Sequence, residues 1–289
     1  MTDTAIRTTA RRKRVNTTRM IARVSLYAVL ILWAVFMLMP FAWMILTSLK
    51  TQKEAMALPI QWFPSVPQWG NYTKVLTQYN FFLYYKNTTF TTLVIVVAQL
   101  LTCSMAGYVF ARLEFPGKNI IFLLMLSVMM VPTQMIMIPR YVITMEMGLL
   151  NNLWGIIVSN IPSIYGTFFL RQNFQSLPRE LDESAMLDGC SYFRIFWSIL
   201  LPLVSNGLIS YAVLSLMWAW NDFLWPLLVI SSSRNYVLSI AIANLQGEYN
   251  TDYPLMMTAG TIAMLPILVV FIAAQNRLMD GIAISGLKG

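Results

Sequence analysis

V-S-L-Y-A-V-L-I-L-W-A-V-F-M-L-M-P-F-A-W-M-I-L-T-S-L, residues Val24 to Leu49, carries no charged side chain. A helix needs about 20 mostly apolar residues to cross the hydrocarbon core of a bilayer, and this run exceeds that length. It is also longer than the apolar region of a signal peptide, about 7–15 residues, and no small-x-small cleavage site follows it, so it reads as a retained helix. Five further charge-free runs follow: Asn87–Ala111, Asn119–Pro139, Met147–Leu170, Ile195–Asn221 and Tyr253–Asn276. The fifth is expected to start after Pro202 and to continue past Asp222 to about Ile230. The expected fold class is therefore all-α, a polytopic bundle of six transmembrane helices.

Composition agrees with this reading. The chain has 289 residues, 57% hydrophobic and 11% charged, with a mean hydropathy of +0.62. A soluble domain carries roughly 25% charged residues. Too few polar groups are present to coat a soluble globule, so lipid must cover much of the surface. One domain is expected, because membrane helices bundle around one core. Its parts are a basic N-terminus (1–23), a transmembrane unit (24–276) with a long loop at 171–203, and a short tail (277–289).

Lys and Arg set the orientation, because cytoplasmic connections hold the excess of them. With the N-terminus inside, Arg7, Arg11, Arg12, Lys13, Arg14, Arg19 and Arg23 are inside, together with Arg112, Lys118, Arg171, Arg179, Arg194, Arg277 and Lys288. Lys50, Lys53, Lys74, Lys86, Arg140 and Arg234 fall outside. Fourteen against six predicts that both termini are cytoplasmic. Thr51–Lys86 is then an outer loop whose Pro59, Pro64 and Pro67 among aromatics suit a packed cap. Ser231–Asp252 is a second outer segment, polar enough to be wet.

The same pattern limits the function classes. The net charge of +8 is concentrated before the first apolar run, which suits anionic lipid better than nucleic acid. There is no histidine, so the commonest general base and metal ligand is missing, and neither a catalytic nor a metal site is expected. Cys103 lies in an apolar run and Cys190 in a loop, which argues against a disulfide between them.

The loop reads F-F-L-R-Q-N-F-Q-S-L-P-R-E-L-D-E-S-A-M-L-D-G-C-S, Phe168 to Ser191. Pro178 fits a first helical turn, where its missing N–H leaves nothing unpaired. Glu180, Asp182 and Glu183 follow near the positive end of the helix dipole. Leu177, Leu181 and Ala185 form an apolar stripe at a spacing of four. Gly189 suits a left-handed cap. A second short helix, Tyr192 to Leu201, is expected to end at Pro202. Such a helix either lies on lipid or docks into a groove on a protein. Its acidity favours the groove, because lipid-binding helices are usually basic.

E-S-A-M-L-D-G from Glu183 to Gly189, followed by Ile199 and Leu201-Pro202, resembles the signature of ABC importer permeases. F-A-R-L-E-F-P-G-K (Phe110–Lys118), V-P-T-Q-M-I-M-I-P (Val131–Pro139), W-A-W-N-D-F-L-W-P-L (Trp218–Leu227) and the terminal G-L-K-G are similar to carbohydrate-uptake permeases of the maltose-transporter type. The resemblance runs from the first span to the last residue. Ser184 and Cys190 depart from alanines common in the family, and Asn206 from a proline.

The resemblance implies an ABC type I importer permease fold, a place in a bacterial cell membrane, and a role as half of a translocation pathway for a sugar or oligosaccharide. It implies that Glu183, Ser184, Ala185, Asp188, Gly189, Ile199 and Pro202 couple the pathway to an ATPase. It implies that the tail, with Gly281, Gly286, Lys288 and Gly289, reaches between two ATP-binding subunits. The expected partners are those two subunits, a second related permease subunit, an extracytoplasmic sugar-binding protein and the bilayer. No cofactor is expected in this chain, since ATP and Mg would be bound by the ATPase. The tail approaches a phosphate-binding loop, but its lysine is displaced by one residue and no strand precedes it.

Asp222 is the one acid inside an expected span, and a carboxylate at the bilayer centre costs about 2.5–3.5 kcal/mol on insertion scales. Either Asn221 and Asp222 face the translocation path, with Trp218, Trp220 and Trp225 as flat apolar surfaces, or Asp222 pairs with a neighbouring helix and the tryptophans form an interfacial belt. A secondary transporter is the rival reading. It would place ionisable groups at several midplane positions, where only Asp222 is expected here. A membrane scaffold is the other alternative.

Overall fold

The computed structural model describes the backbone of residues 2–246 and 251–286, and the side chains of residues 20–246 and 251–275. Every regular element among them is a helix: α1 (Thr2–Ser48), α2 (Gln52–Ala55), α3 (Gly70–Gln78), α4 (Phe81–Arg112), α5 (Lys118–Ser127), α6 (Met137–Glu146), α7 (Leu153–Asn160), α8 (Ile164–Gln175) and α9 (Glu180–Leu187) come first. Then come α10 (Tyr192–Arg194), a π-helical turn (Ile195–Leu200), α11 (Leu201–Leu203), α12 (Ser205–Asn221), α13 (Leu224–Val229), α14 (Leu238–Ala243) and α15 (Tyr253–Gly286). Short 3-10 turns follow α5 and precede α14.

The helix α4 is the spine. It packs most closely on α8 and α12, while α15 lies against α1 and α12. Small residues permit these approaches, as they do in lipid, where no hydrophobic force drives helices together. A Cβ on Gly107 of α4 would stand 2.9 Å from the backbone nitrogen of Arg171, so the two helices approach backbone to backbone. Three apolar clusters fill the bundle. One, at the α9 end, joins Tyr108, Phe174, Ala185, Phe196 and Tyr211. A second holds Ile95, Ile157, Trp225 and Ile240, and a third holds Phe81, Trp220, Leu238 and Ala259.

Among the described residues three helices are long and apolar enough to cross a membrane, and up to five if each bent pair is one span. The departures from six uninterrupted runs have physical causes. The run Asn119–Pro139 is not one helix: α5 and its 3-10 turn stop at Met130, the backbone is irregular before Pro132, and Pro139 lies in the first turn of α6. A proline ring disfavours the helical conformation in the residue before it, and Val131, ahead of Pro132, is extended. In the first turn of α6 the missing N–H of Pro139 leaves nothing unpaired, so it starts a helix and does not end one. The fourth run bends by 43° between α7 and α8, around Pro162, and the fifth by 78° between Leu203 and Ser205.

Pro202 does not end the preceding helix. The π-helical turn ahead of it accommodates the proline, with Leu201 donating to the carbonyl of Phe196, five residues back. The expected continuation to Ile230 fails at Asp222 and Phe223, after which α13 starts afresh. The second span begins earlier than expected, at Phe81.

Part of the segment after Ser231 is dry, although Ser231, Ser233, Arg234, Asn244 and Gln246 are exposed. Val237, Leu238, Ile240 and Ala241 are buried, and Asn87 of α4 donates to the carbonyls of Arg234 and Tyr236 at 3.1 and 2.9 Å. The apolar spacing of V-L-S-I-A-I-A folds this stretch back into the bundle, where the sequence reading weighed only its polar flanks. The connection Thr51–Lys86 is tied down at its start, while Leu58, Phe63, Val66 and Trp69 are exposed. Thr51 and Glu54 close a capping box on α2, and Gln52 donates to the carbonyl of Thr251 at 2.6 Å.

Candidate functional site

Three helix interruptions meet at one place. A cavity of about 590 Å³ is lined by Thr133 and Gln134 from the gap before α6, by Asn160 and Ser163 on either side of the α7–α8 bend, and by Asn221 and Asp222 at the end of α12. Irregular backbone at membrane depth is tolerated only where it is buried in protein or lines a wet cavity, so the breaks and the cavity explain each other.

A polar network holds this wall. Gln99, from the middle of α4, accepts hydrogen bonds from Tyr211 Oη (2.8 Å) and Ser215 Oγ (2.7 Å) on α12 and donates to the Asn160 carbonyl at 2.6 Å. Arg140 of α6 donates to Ser159 Oγ and Asn160 Oδ1, both at 3.0 Å, and its guanidinium lies 3.8 Å from the centre of the Trp225 ring. Asn160 Nδ2 in turn reaches Asp222 Oδ2 at 3.5 Å. Arg140 therefore stands beside Asp222 at this depth, which corrects the expectation that Asp222 is the one ionisable group there. Sequence reasoning placed Arg140 in an outer connection because it follows Pro139; the signal it lacked was that α6 continues inward from that proline.

The aromatic residues divide. Trp225 and Trp220 are buried, and their indole N–H groups donate to the carbonyls of Gly155 (3.2 Å) and Ala263 (3.1 Å). They sit inside the protein and not in an interfacial belt. Trp218 is 71% exposed and stacks on Tyr165 at 6.0 Å with an interplanar angle of 21°, presenting a flat apolar face at the cavity wall. Asn221 is exposed, and Asp222 half-buried, its carbonyl accepting from Ser239 at 2.7 Å.

At the other end of α4 lies the capped loop. The helix α9 starts two residues after Pro178, and Gly189 ends it with φ +78°. Cys190 N–H donates to the Ala185 carbonyl at 2.9 Å and Gly189 N–H to that of Met186 at 3.0 Å, the paired bonds of a Schellman cap. The apolar stripe faces inward: Ala185 is buried, and Leu177 and Leu181 pack on the same cluster. Glu180, Glu183, Ser184, Leu187, Asp188 and Gly189 are exposed on the far face, as is Pro202, with Ile199 half-buried. Gly281 and Gly286 fall in the last turns of α15, while Lys288 and Gly289 lie outside the described residues.

Residues 100–283, the stretch that contains the capped loop and all of the cavity lining but Ile95 and Gln99, match the family described as "Binding-protein-dependent transport system inner membrane component". The chain belongs to that family. This inner membrane component is 33% identical over 270 residues to the arabinooligosaccharides transport system permease protein AraQ of Bacillus subtilis, covering 92% of this chain and 96% of AraQ. It is 29% identical over 255 residues to the lactose transport system permease protein LacG of Rhizobium radiobacter, covering 88% of this chain and 93% of LacG. A crystal structure of a bacterial ABC transporter involved in the import of the acidic polysaccharide alginate contains a chain of the same fold, with TM-score 0.80 and 19% identity over 90% of this chain and 97% of that one. The family resemblance read from the motifs is thus the family found. A transport component of this kind moves solute and carries out no bond chemistry of its own. Both cysteines are free thiols.

Proposed function

We propose that this chain is a permease subunit of an ATP-binding cassette importer, forming half of a pathway for a sugar or oligosaccharide and drawing its energy from separate ATPase subunits. One observation carries the reading: in a chain of this transport family, α9 is seated on its own bundle by its apolar face and shows an acidic, sharply capped face outward. A stripe that lay on lipid would face away from the bundle. This one is already used, which leaves the polar face for a protein partner. Glu183, Ser184, Asp188 and Gly189 form the contact in this reading. Ala185 and Ile199 support it from behind, exposed Pro202 is part of the same coupling element, and the tail from Gly281 to Gly289 adds a second contact.

The cavity is the path through this half. Amide, hydroxyl and charged groups offer donors and acceptors to sugar hydroxyls, while Trp218 on Tyr165 offers the flat face on which a sugar ring stacks. The names of AraQ and LacG support a saccharide, and polar residues at helix breaks are where transported solutes are held. Six crossings with both termini cytoplasmic follow if the broken α5–α6 segment counts as one span, and the excess of Lys and Arg supports that orientation. The uncovered surface of α1 is then left for lipid and a second permease. ATP and Mg stay with the ATPase. A secondary transporter would draw on an ion gradient and need no ATPase, which separates the two readings by experiment.

The test is reconstitution in liposomes with a second permease, an ATPase and a sugar-binding protein encoded beside this chain. Uptake is followed with a panel of arabino-, malto- and chito-oligosaccharides and lactose. MgATP inside the compartment that holds the ATPase should drive uptake. Uptake that needed an ion gradient and ignored ATP would overturn the reading.

A further inference from the structure

The helix α9 is joined to the bundle by two kinds of contact, and they differ in what they can transmit. The apolar contact of Leu177, Leu181 and Ala185 is non-directional. The buried polar contact is a single guanidinium; an exposed pair, Arg179 with Glu114 at 3.9 Å, lies outside it. Arg112, the last residue of α4, is 5% exposed in its side chain, and its Nη2 donates to the Leu177 carbonyl at 2.9 Å. Its Nη1 stands 3.3 Å from Oδ2 of Asp182, whose side chain is 11% exposed. One side chain thus holds both the strand entering α9 and the first turn of α9.

The pair joins the negative end of α4 to the positive end of α9, so both helix dipoles favour the charges where they are. In other respects it is poorly satisfied. Neither oxygen of Asp182 nor Nε of Arg112 has a hydrogen-bond partner. A buried ion pair with so few additional bonds does not repay its desolvation, and apolar residues of like volume would hold the loop as well. What the guanidinium adds is direction, through its charge-assisted hydrogen bond to the Leu177 carbonyl, while the attraction of Asp182 ties the first turn of α9 to the same group. The same helix that ends in Arg112 carries Gln99, which fixes α12 and Asn160 at the cavity wall.

We propose that Arg112 and Asp182 are positioning residues, a strut that carries displacement of α9 into α4 and through Gln99 to the cavity. This rests on the reading that an ATPase acts on α9. The strut accounts for a buried, under-bonded pair where the first turn of α9 meets the end of the spine.

The assembled importer tests it through a reporter that needs no knowledge of the sugar. A cysteine at Gln134 lines the cavity, and its labelling by a small thiol reagent is measured with and without MgATP, over the labelling of the parent chain. With Arg112 and Asp182 intact, MgATP should change the rate. In Arg112→Gln and in Asp182→Asn, subunit assembly and ATP hydrolysis should persist while the change shrinks about tenfold, the size of an ordinary coupling energy. Arg112→Lys, which keeps the charge, should restore most of it. Variants that kept the full response would overturn the strut, as would variants that lost assembly and hydrolysis together with the response. No response in the parent importer would instead overturn the ATP-driven reading itself.

Discussion

Gly189 has φ +78°, and a Cβ added there would meet nothing within 4 Å. The demand for glycine is therefore one of backbone alone. A β-branched residue in this left-handed conformation costs roughly 1–2 kcal/mol, and Asn much less. Gly189→Val should uncouple the importer, with sugar uptake falling at least about tenfold while the protein still folds, and Gly189→Asn should keep most of it. Equal uptake by both variants would remove Gly189 from the contact. Asp182 gives a second test. Burial raises its carboxyl above the ordinary value, against the pull of Arg112 and Arg179, and with Glu183 adding to the rise. Tyr108 faces it from α4. The folded chain thus holds this proton more tightly than the unfolded chain, so the stability that the shift contributes is complete below the unfolded value of about 3.9 and fades as pH rises through the folded one. Across that window, wild type should lose thermal stability relative to Asp182→Asn. A relative gain would mean that the Arg112 attraction outweighs desolvation. Gly189 was legible from sequence because a cap is local. The pairing of Arg112 with Asp182, and of Arg140 with Asn160 and Asp222, was not, since each joins side chains that only the packing of distant helices brings together.

At the scale of elements, charge counting located the apolar runs but not their interruptions. Each interruption at the cavity has a proline close to polar residues within or just past a charge-free run: Pro132 with Thr133 and Gln134, Pro162 with Asn160 and Ser163, Pro226 with Asn221 and Asp222. The proline removes a backbone donor, and the polar side chains make a wet lining tolerable where the helix opens. Read together, such pairs would have announced the cavity. Read as length alone, the runs predicted straight helices. The seam between α4 and α8 makes the opposite demand, for close backbone approach. Gly107→Leu would drive a side chain into the backbone of Leu170 and Arg171, where a Cβ already meets atoms at 2.9 and 3.2 Å. Helices cannot give way as a flexible side chain can, so a loss of about 1–3 kcal/mol is expected, read as a lower melting temperature in detergent. Gly70→Ala, whose Cβ meets nothing within 4 Å, should stay within about 0.5 kcal/mol of wild type. Similar losses in the two would mean that the seam is looser than its geometry.

For the whole molecule, orientation decides whether the loop and the cavity can belong to one machine. In the proposed function a motor that consumes ATP acts from the cytoplasm, so α9 must lie there, as the excess of Lys and Arg predicts. The chain carries its own reporters. Cys190 follows the cap of α9 and is half-buried, and Cys103 is 1% exposed within α4. In intact cells a membrane-impermeant maleimide should leave both thiols unlabelled; after permeabilisation it should label Cys190 and still spare Cys103. A cysteine introduced at Gln78, the last residue of α3 in the outer connection, should label in intact cells and thereby show that the reagent reached the protein. Labelling of Cys190 before permeabilisation would put the acidic face of α9 on the same side as that connection. A loop so placed has no ATPase to meet, whatever its sequence resembles, and the contact with the motor would have to be sought at the opposite end of α4.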